Sequence, residues 1–225
     1  MRERLMVALD MPDAAAALAM RDRIGSSAGW MKVGLRLFVA EGPQLVRELS
    51  QAHSIFLDLK FHDIPNTVAQ AVESAGRLGV QMTNVHAGGG AKMLKAAAES
   101  ARNFPDMKLI AVTVLTSESM APEAATKMAL ERALLAKEAG LHGVVCSVHE
   151  AAAIKSACGA DFLTVTPGIR WGEQELGDQS RVADPAGAMR AGSDFIVVGR
   201  PIIGASDPAA AAQEAVAMMA GALAG

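Results

Sequence analysis

Short apolar runs rich in β-branched residues alternate along this chain with longer Ala-rich stretches whose apolar positions recur at helical spacing. The runs are LMVAL (5–9), MKVGL (31–35), SIFLDL (54–59), MTNVH (82–86), LIAVTVL (109–115), GVVCS (143–147), FLTVT (162–166) and FIVVG (195–199). Each is followed by a helical stretch. Eight strand–helix pairs predict a closed (β/α)8 TIM barrel, occupying residues 1–225 as one domain.

The punctuation agrees with this reading. Asp13 after Pro12, Pro65, Pro122 with Glu123, and Asp207 with Pro208 stand where helices should start. Gly79, Gly140 and Gly192 stand where helices should stop, each ahead of the next strand. No linker, low-complexity tract or short-period repeat interrupts the series. The competing architecture is an open doubly wound sheet, which usually has fewer strands and a Gly-rich turn after the first. Here the first run ends in Asp10 and Met11, with no GxGxxG.

Composition narrows the class of function. The chain has 225 residues, 51% of them hydrophobic and 20% charged, with no tyrosine, as expected of a folded globular protein. A net charge of -3 and the absence of any Lys/Arg run leave no basic surface for nucleic acid. No segment has the apolar length of a membrane span or of a signal peptide, so a cytoplasmic protein is expected. Cys146 and Cys158 lack CxxC spacing and lie in apolar surroundings, which reads as free buried thiols.

In a parallel barrel the chemistry sits at the C-terminal rim of the strands, because the variable βα loops build that rim. Nearly all the charged strand residues fall there, and the strand ends and the residues next to them supply Asp10, Lys32, Asp58, Lys60, Asn84, His86, Thr116, Thr166 and Arg200. Asp58 and Lys60 are two apart and should share the inward face, with Leu57 and Leu59 toward the helices. An ion pair alone could plug a barrel mouth inertly. Lys32 and Asp10 from neighbouring strands make an array of alternating sign, more than a plug requires. Opposite charges ~4 Å apart attract by about 4 kcal/mol at an effective dielectric near 20, enough to hold a lysine charged and aimed. Such an array suits protonation of a carbon by lysine.

Two further segments bear on ligands. VVGRPII (197–203) ends a strand in Gly199 and Arg200 ahead of a helix, where barrels commonly hold a phosphate. The preceding segment PGIRWGEQELGDQSR (167–181) is long, polar and glycine-bearing and reads as a lid, with Arg170 and Gln179 as candidate contacts. The run NVHAGGG (84–90) lacks the lysine and hydroxyl of a P-loop and reads better as a tight turn. A metal site from Asp58, His62, Asp63 and His86 has no supporting spacing. Serine-nucleophile and cysteine-nucleophile motifs are absent.

Taken together, LMVALDMPD, MKVGLRLF, DLKFHDIPNTV, TVLTS, VTPGIR with GDQSR, and VVGRPI resemble the orotidine 5'-phosphate decarboxylase family across the whole chain. The resemblance implies decarboxylation of orotidine 5'-phosphate to uridine 5'-phosphate, the last step of de novo pyrimidine nucleotide synthesis, with neither metal nor organic cofactor. It implies Lys60 as proton donor, positioned by Asp58 and Lys32. It further implies Asp63 and Thr67 reaching into the other subunit of a homodimer with shared active sites. Asp10 and Lys32 would contact the ribose, and Thr116 would lie in the loop at the pyrimidine, with Ser119 a further contact there. Arg170, Gln179, Gly199 and Arg200 would hold the phosphate, Gln179 being preferred to Gln174 because it sits in GDQSR.

Two alternatives remain on sequence grounds. One is a Mg-dependent phosphosugar decarboxylase or aldolase of the same barrel superfamily, against which FHDIPNT after Lys60 argues. The other is a non-catalytic nucleotide-phosphate binding protein keeping Arg200 and the lid.

Overall fold

The computed structural model describes residues 1–115, 120–172 and 183–223. In chain order its elements are β1 (Leu5–Ala8), α1 (Ala14–Ile24), β2 (Trp30–Gly34), α2 (Leu35–Leu49), β3 (Ser54–Phe61), α3 (Pro65–Arg77), β4 (Met82–His86), α4 (Gly90–Ala101) and β5 (Lys108–Val112). They continue with α5 (Pro122–Glu138), β6 (Gly143–Val145), α6 (Val148–Cys158), β7 (Leu163–Thr166), α7 (Pro185–Arg190), β8 (Phe195–Val198), α8 (Arg200–Ile203) and α9 (Pro208–Gly221). The strands are all parallel and close in sequence order, β8 pairing back onto β1 through Leu5–Ile196, Met6–Val197 and Val7–Val198. This is the predicted (β/α)8 barrel.

Local chemistry explains the boundaries. The Asp13 carboxylate accepts from Ala16 N–H at 2.8 Å and Asp207 from Ala210 N–H at 3.0 Å, satisfying donors that a helix start leaves open. Pro65, Pro122 and Pro208 each occupy a first helical position, where the missing N–H costs nothing. Gly79, Gly140 and Gly192 take φ of 77°, 90° and 91°, the conformation that ends a helix without a Cβ clash.

Two strands differ instructively from expectation. β5 stops at Val112, before the apolar residues Val114 and Leu115, which leave the sheet to line a cavity instead. β6 has only three residues, because Ser147 is claimed as the N-cap of α6 in a capping box with Glu150.

The core has two compartments. Met6, Ala8, Phe56, Met82, Ile110, Val165 and Val197 fill the barrel interior. A larger cluster lies between strands and helices, where Val7, Val33, Leu57, Val85 and Val198 meet α-helical residues such as Ala17, Val72, Ala97 and Ala215. The abundance of alanine lets helices approach the barrel closely. Cys146 and Cys158 are free and buried, and burial raises both thiols above their ordinary range, leaving them poor nucleophiles. Among the described residues no helix is long and apolar enough to cross a membrane.

The β6–β7 contact is tight enough to exclude a methyl group. A Cβ placed on Gly143 would stand 2.3 Å from the Leu163 carbonyl oxygen, a backbone atom that cannot swing aside. Gly143→Ala is therefore expected to destabilise the barrel by about 1–3 kcal/mol, read as a lower denaturant midpoint at unchanged slope.

Candidate active site

The inner core stops short of the C-terminal rim, and a cavity of about 550 Å³ opens above Ala8, Phe56 and Val197. Into it project Asp10 from just beyond β1, Lys32 from β2, and Asp58 and Lys60 from β3. The Lys60 ammonium donates to Asp58 Oδ1 at 2.6 Å, Lys32 Nζ stands 3.4 Å from Asp58 Oδ2, and Asp10 Oδ1 lies 3.7 Å from Lys32. The charges therefore alternate in sign, as Asp10, Lys32, Asp58 and Lys60.

Asp58 is the most deeply placed acid of this group, its side chain only 12% exposed. Burial would raise its carboxyl above the ordinary 3.8, but Lys32, then Lys60, and hydrogen bonds from Lys60 and Asn84 together outweigh burial and lower it. The carboxylate stays charged because two ammoniums flank it. Space for one of them depends on Gly34, where a Cβ would stand 3.2 Å from Lys32 Nζ, closer than ordinary contact.

The route by which Lys60 reaches the cavity is not the regular strand that its spacing from Asp58 predicts. Four steps along β3, from Leu57 to Phe61, match only two along β4, from Thr83 to Val85, so β3 bulges between them. Lys60 sits in the bulge with φ of 53°, the only non-glycine residue among those described with a left-handed backbone. Leu59 still packs toward the outer core, as expected. The pair shares the cavity through a bulge, not through simple alternation.

The other walls differ in character. Val112, Val114, Leu115 and Val145, at the ends of β5 and β6, form an apolar side. Arg170, beyond β7, and Gly199 and Arg200, beyond β8, form a cationic side with accessible backbone. An Ile169–Ala183 bridge, with Arg170 N–H donating to Ala183 O at 2.9 Å, ties together the two ends of the long segment between them.

The structure thus brings Asp10, Lys32, Asp58, Lys60, Arg170, Gly199 and Arg200 into one cavity. Asp63 and Thr67 do not line it; both are exposed, Asp63 accepting from Ile64 N–H at 2.7 Å and Thr67 lying at the start of α3. Thr116, Ser119, Gln174 and Gln179 lie outside the described residues, although Leu115 beside Thr116 lines the cavity. Among the described residues no three His, Cys, Asp or Glu side chains gather as metal ligands; His62 and His86 instead stack on each other, ring centroids 5.2 Å apart. The NVHAGGG run ends β4 at His86 and makes one tight turn, Ala87–Gly89, into α4, the turn packing on those histidines. Gly34 and the apolar wall carry no signal in the sequence, and Asn84 is legible there only as a rim residue without a role. A buried-strand position held by an amide, between Thr83 and Val85, is the available signal for Asn84.

Two measurements check this geometry. A left-handed backbone disfavours any residue bearing a Cβ, so Lys60→Gly is expected to be more stable than Lys60→Ala by about 1 kcal/mol in chemical denaturation. Asp58 has a folded value below its unfolded one, so its ionisation stabilises fully above about pH 4 and the contribution drains as pH falls through the lowered value. The stability gap between the parent and Asp58→Asn should accordingly narrow on acidification below about pH 4.

Comparison with known proteins supplies the remaining context. A sequence model of the orotidine 5'-phosphate decarboxylase / HUMPS family matches residues 3–215. The orotidine 5'-phosphate decarboxylase of Moorella thermoacetica is 49% identical, the alignment covering 94% of this chain and 90% of that protein. That of Legionella pneumophila (strain Corby) is 51% identical over 92% of this chain and 95% of its own length. The crystal structure of orotidine 5'-phosphate decarboxylase from Lactobacillus acidophilus superposes with a TM-score of 0.84 at 36% identity, covering 96% of this chain and 99% of that one. With a family match spanning nearly its full length, a closed barrel of the same shape and relatives at about half identity, the chain belongs to the orotidine 5'-phosphate decarboxylase / HUMPS family.

Proposed function

We propose that this protein decarboxylates orotidine 5'-phosphate to uridine 5'-phosphate. The observation that carries the reading is the Asp10–Lys32–Asp58–Lys60 array on one side of a cavity that also holds Arg170 and Arg200, in a chain of this family. A nucleotide has the same three parts as the cavity. Its phosphate suits the cationic β7–β8 side, its planar base the apolar β5–β6 wall, and its ribose and reacting carboxylate the charged β1–β3 side. Arg170, Gly199 and Arg200, with Gln179, would hold the phosphate. Asp10 and Lys32 would contact the ribose and Thr116 the pyrimidine.

The chemistry follows from the charges. As the bond between C6 and the carboxylate breaks, its electron pair stays on C6 and CO2 departs. The resulting carbanion is poorly delocalised, so the site must favour negative charge at that carbon. The Lys60 ammonium meets the charge as it forms and gives C6 a proton, leaving a neutral amine that solvent reprotonates. Asp58 accepts from the Lys60 ammonium and aims it, and Lys32 on the other carboxylate oxygen holds Asp58 in place. Preorganised stabilisation by the lysine carries most of the effect, and repulsion of the substrate carboxylate by a nearby acid carries less.

Asp63 and Thr67 are proposed to act in the site of a second subunit, since they are exposed and do not line their own cavity. The rim beside them carries exposed apolar side chains, Leu35, Val39 and Ile64, on segments leaving the adjoining strands β2 and β3. Burial of such a patch favours a homodimer.

Lys60→Ala is expected to lower turnover by many orders of magnitude while uridine 5'-phosphate binding stays within about tenfold; retained turnover would overturn the assignment. Full activity in EDTA is expected, and loss in chelator would favour a Mg-dependent relative. Mixing inactive Lys60→Ala and Asp63→Asn subunits should restore activity, because a mixed dimer with shared sites contains one intact site. A mixture that stays inactive would remove the shared-site reading.

A further inference from the structure

Asn84 has no role in the reaction as derived so far, yet it is wholly buried and its two polar atoms are committed to the β3 array. Its Oδ1 accepts the Lys60 backbone N–H at 2.7 Å, and its Nδ2 donates to Asp58 Oδ1 at 2.7 Å. The amide orientation follows from the partners, since an NH2 group cannot accept from a backbone N–H and a carboxylate cannot donate. The same Asp58 oxygen takes the Lys60 ammonium at 2.6 Å. One amide thus grips the backbone of Lys60 and the carboxylate that orients its side chain.

The bulge explains why a side chain is needed there. Between Leu57–Thr83 and Phe61–Val85 the β3–β4 ladder shifts register, and in that gap the Lys60 N–H is taken by the Asn84 side chain. Asn84 stands opposite the gap on β4, so its carbonyl oxygen serves as the acceptor there. It does so where Lys60 adopts φ of 53°, a conformation a lysine leaves readily unless something holds it. A residue filling the barrel for packing alone would be apolar, as Met82 on the same strand is.

We propose that Asn84 is a positioning residue for the decarboxylation, holding Lys60 in its left-handed bulge conformation and Asp58 in register with it, so that the ammonium meets the reacting carbon. The inference rests on the assignment of Lys60 as proton donor. Without Asn84 the Lys60 backbone relaxes toward extended conformations and the ammonium moves off Asp58. The phosphate side, built from β7 and β8 across the barrel, is untouched. The defect therefore falls on the chemical step and not on nucleotide binding.

The test uses the full-length protein. In Asn84→Ala, kcat on orotidine 5'-phosphate should fall about 100-fold, the scale of a catalytic group misplaced by about an ångström. Uridine 5'-phosphate binding by calorimetry should stay within about threefold. The acid limb of the kcat profile should move to higher pH, because Asp58, facing Lys32, Lys60 and, beyond Lys32, Asp10, has lost one of the donors that favour its charged form. Asn84→Asp keeps an oxygen for the Lys60 N–H but sets a second carboxylate against Asp58, so its acid limb should move further. Parental kcat per folded molecule in Asn84→Ala, or an unmoved acid limb in both variants, overturns the proposal. If neither variant folds, Asn84 serves the barrel and not the aim of Lys60, and the proposal fails equally. Lys60→Ala measured alongside separates the two levels. Turnover surviving that change removes the proton-donor assignment itself, whereas an inactive Lys60→Ala beside fully active Asn84 variants removes only the role of Asn84.

Discussion

The Asp58 carboxylate sits between two ammonium groups, 2.6 Å from Lys60 and 3.4 Å from Lys32, in a place where water reaches little of it. A lone buried carboxylate would neutralise itself by taking a proton; a flanked one stays ionised and fixes where its cations point. Much of the rim can be understood as maintaining this arrangement. β2 and β3 pair with Gly34 opposite Asp58, setting Lys32 beside the acid. The bare Cα of Gly34 leaves room for the ammonium. The bulge in β3 turns Lys60 inward, and the Asn84 amide supplies both an acceptor for its backbone and a donor for Asp58.

Such a cluster is tolerable beside an apolar barrel because its charges are paired. The interior below it is closed by Phe56, Met82, Ile110 and their neighbours, which gives the charges a firm floor and restricts water to the cavity side. The low local polarity that makes an unpaired charge costly also strengthens the paired ones. The rim then divides by strand: charge from β1 to β3, an apolar wall from β5 and β6, and arginines beyond β7 and β8. A closed barrel brings the first and last of these together, since β8 pairs with β1. Gly199 accordingly lies beside Asp10, with space for a Cβ 3.5 Å from the Asp10 carboxylate.

The legible and illegible parts of the site follow from the range of the forces involved. Asp10, Lys32, Asp58, Lys60, Arg170 and Arg200 were readable because charged residues at the ends of apolar runs are anomalous wherever they occur. Asn84 was visible as a polar residue but carried no meaning, because its partners lie 24 and 26 positions earlier in the chain. The apolar wall was misread as strand: Val114 and Leu115 continue the hydrophobic run of β5, and only the curvature of the barrel shows that the sheet has already ended at Val112.

The sequence by itself determined the number and order of the elements, because hydrophobic periodicity, Pro at helix starts and Gly at helix ends act within a few residues of one another. It also determined which charged residues belong to the rim. Tertiary structure alone decided how Lys60 enters the cavity. Spacing predicts a shared face by strand alternation, whereas the fold uses a left-handed backbone in a bulge, held by an amide from the next strand. That conformation is unfavourable for an isolated lysine, so no local rule could foretell it; in the fold a β4 side chain accepts its N–H at the bulge.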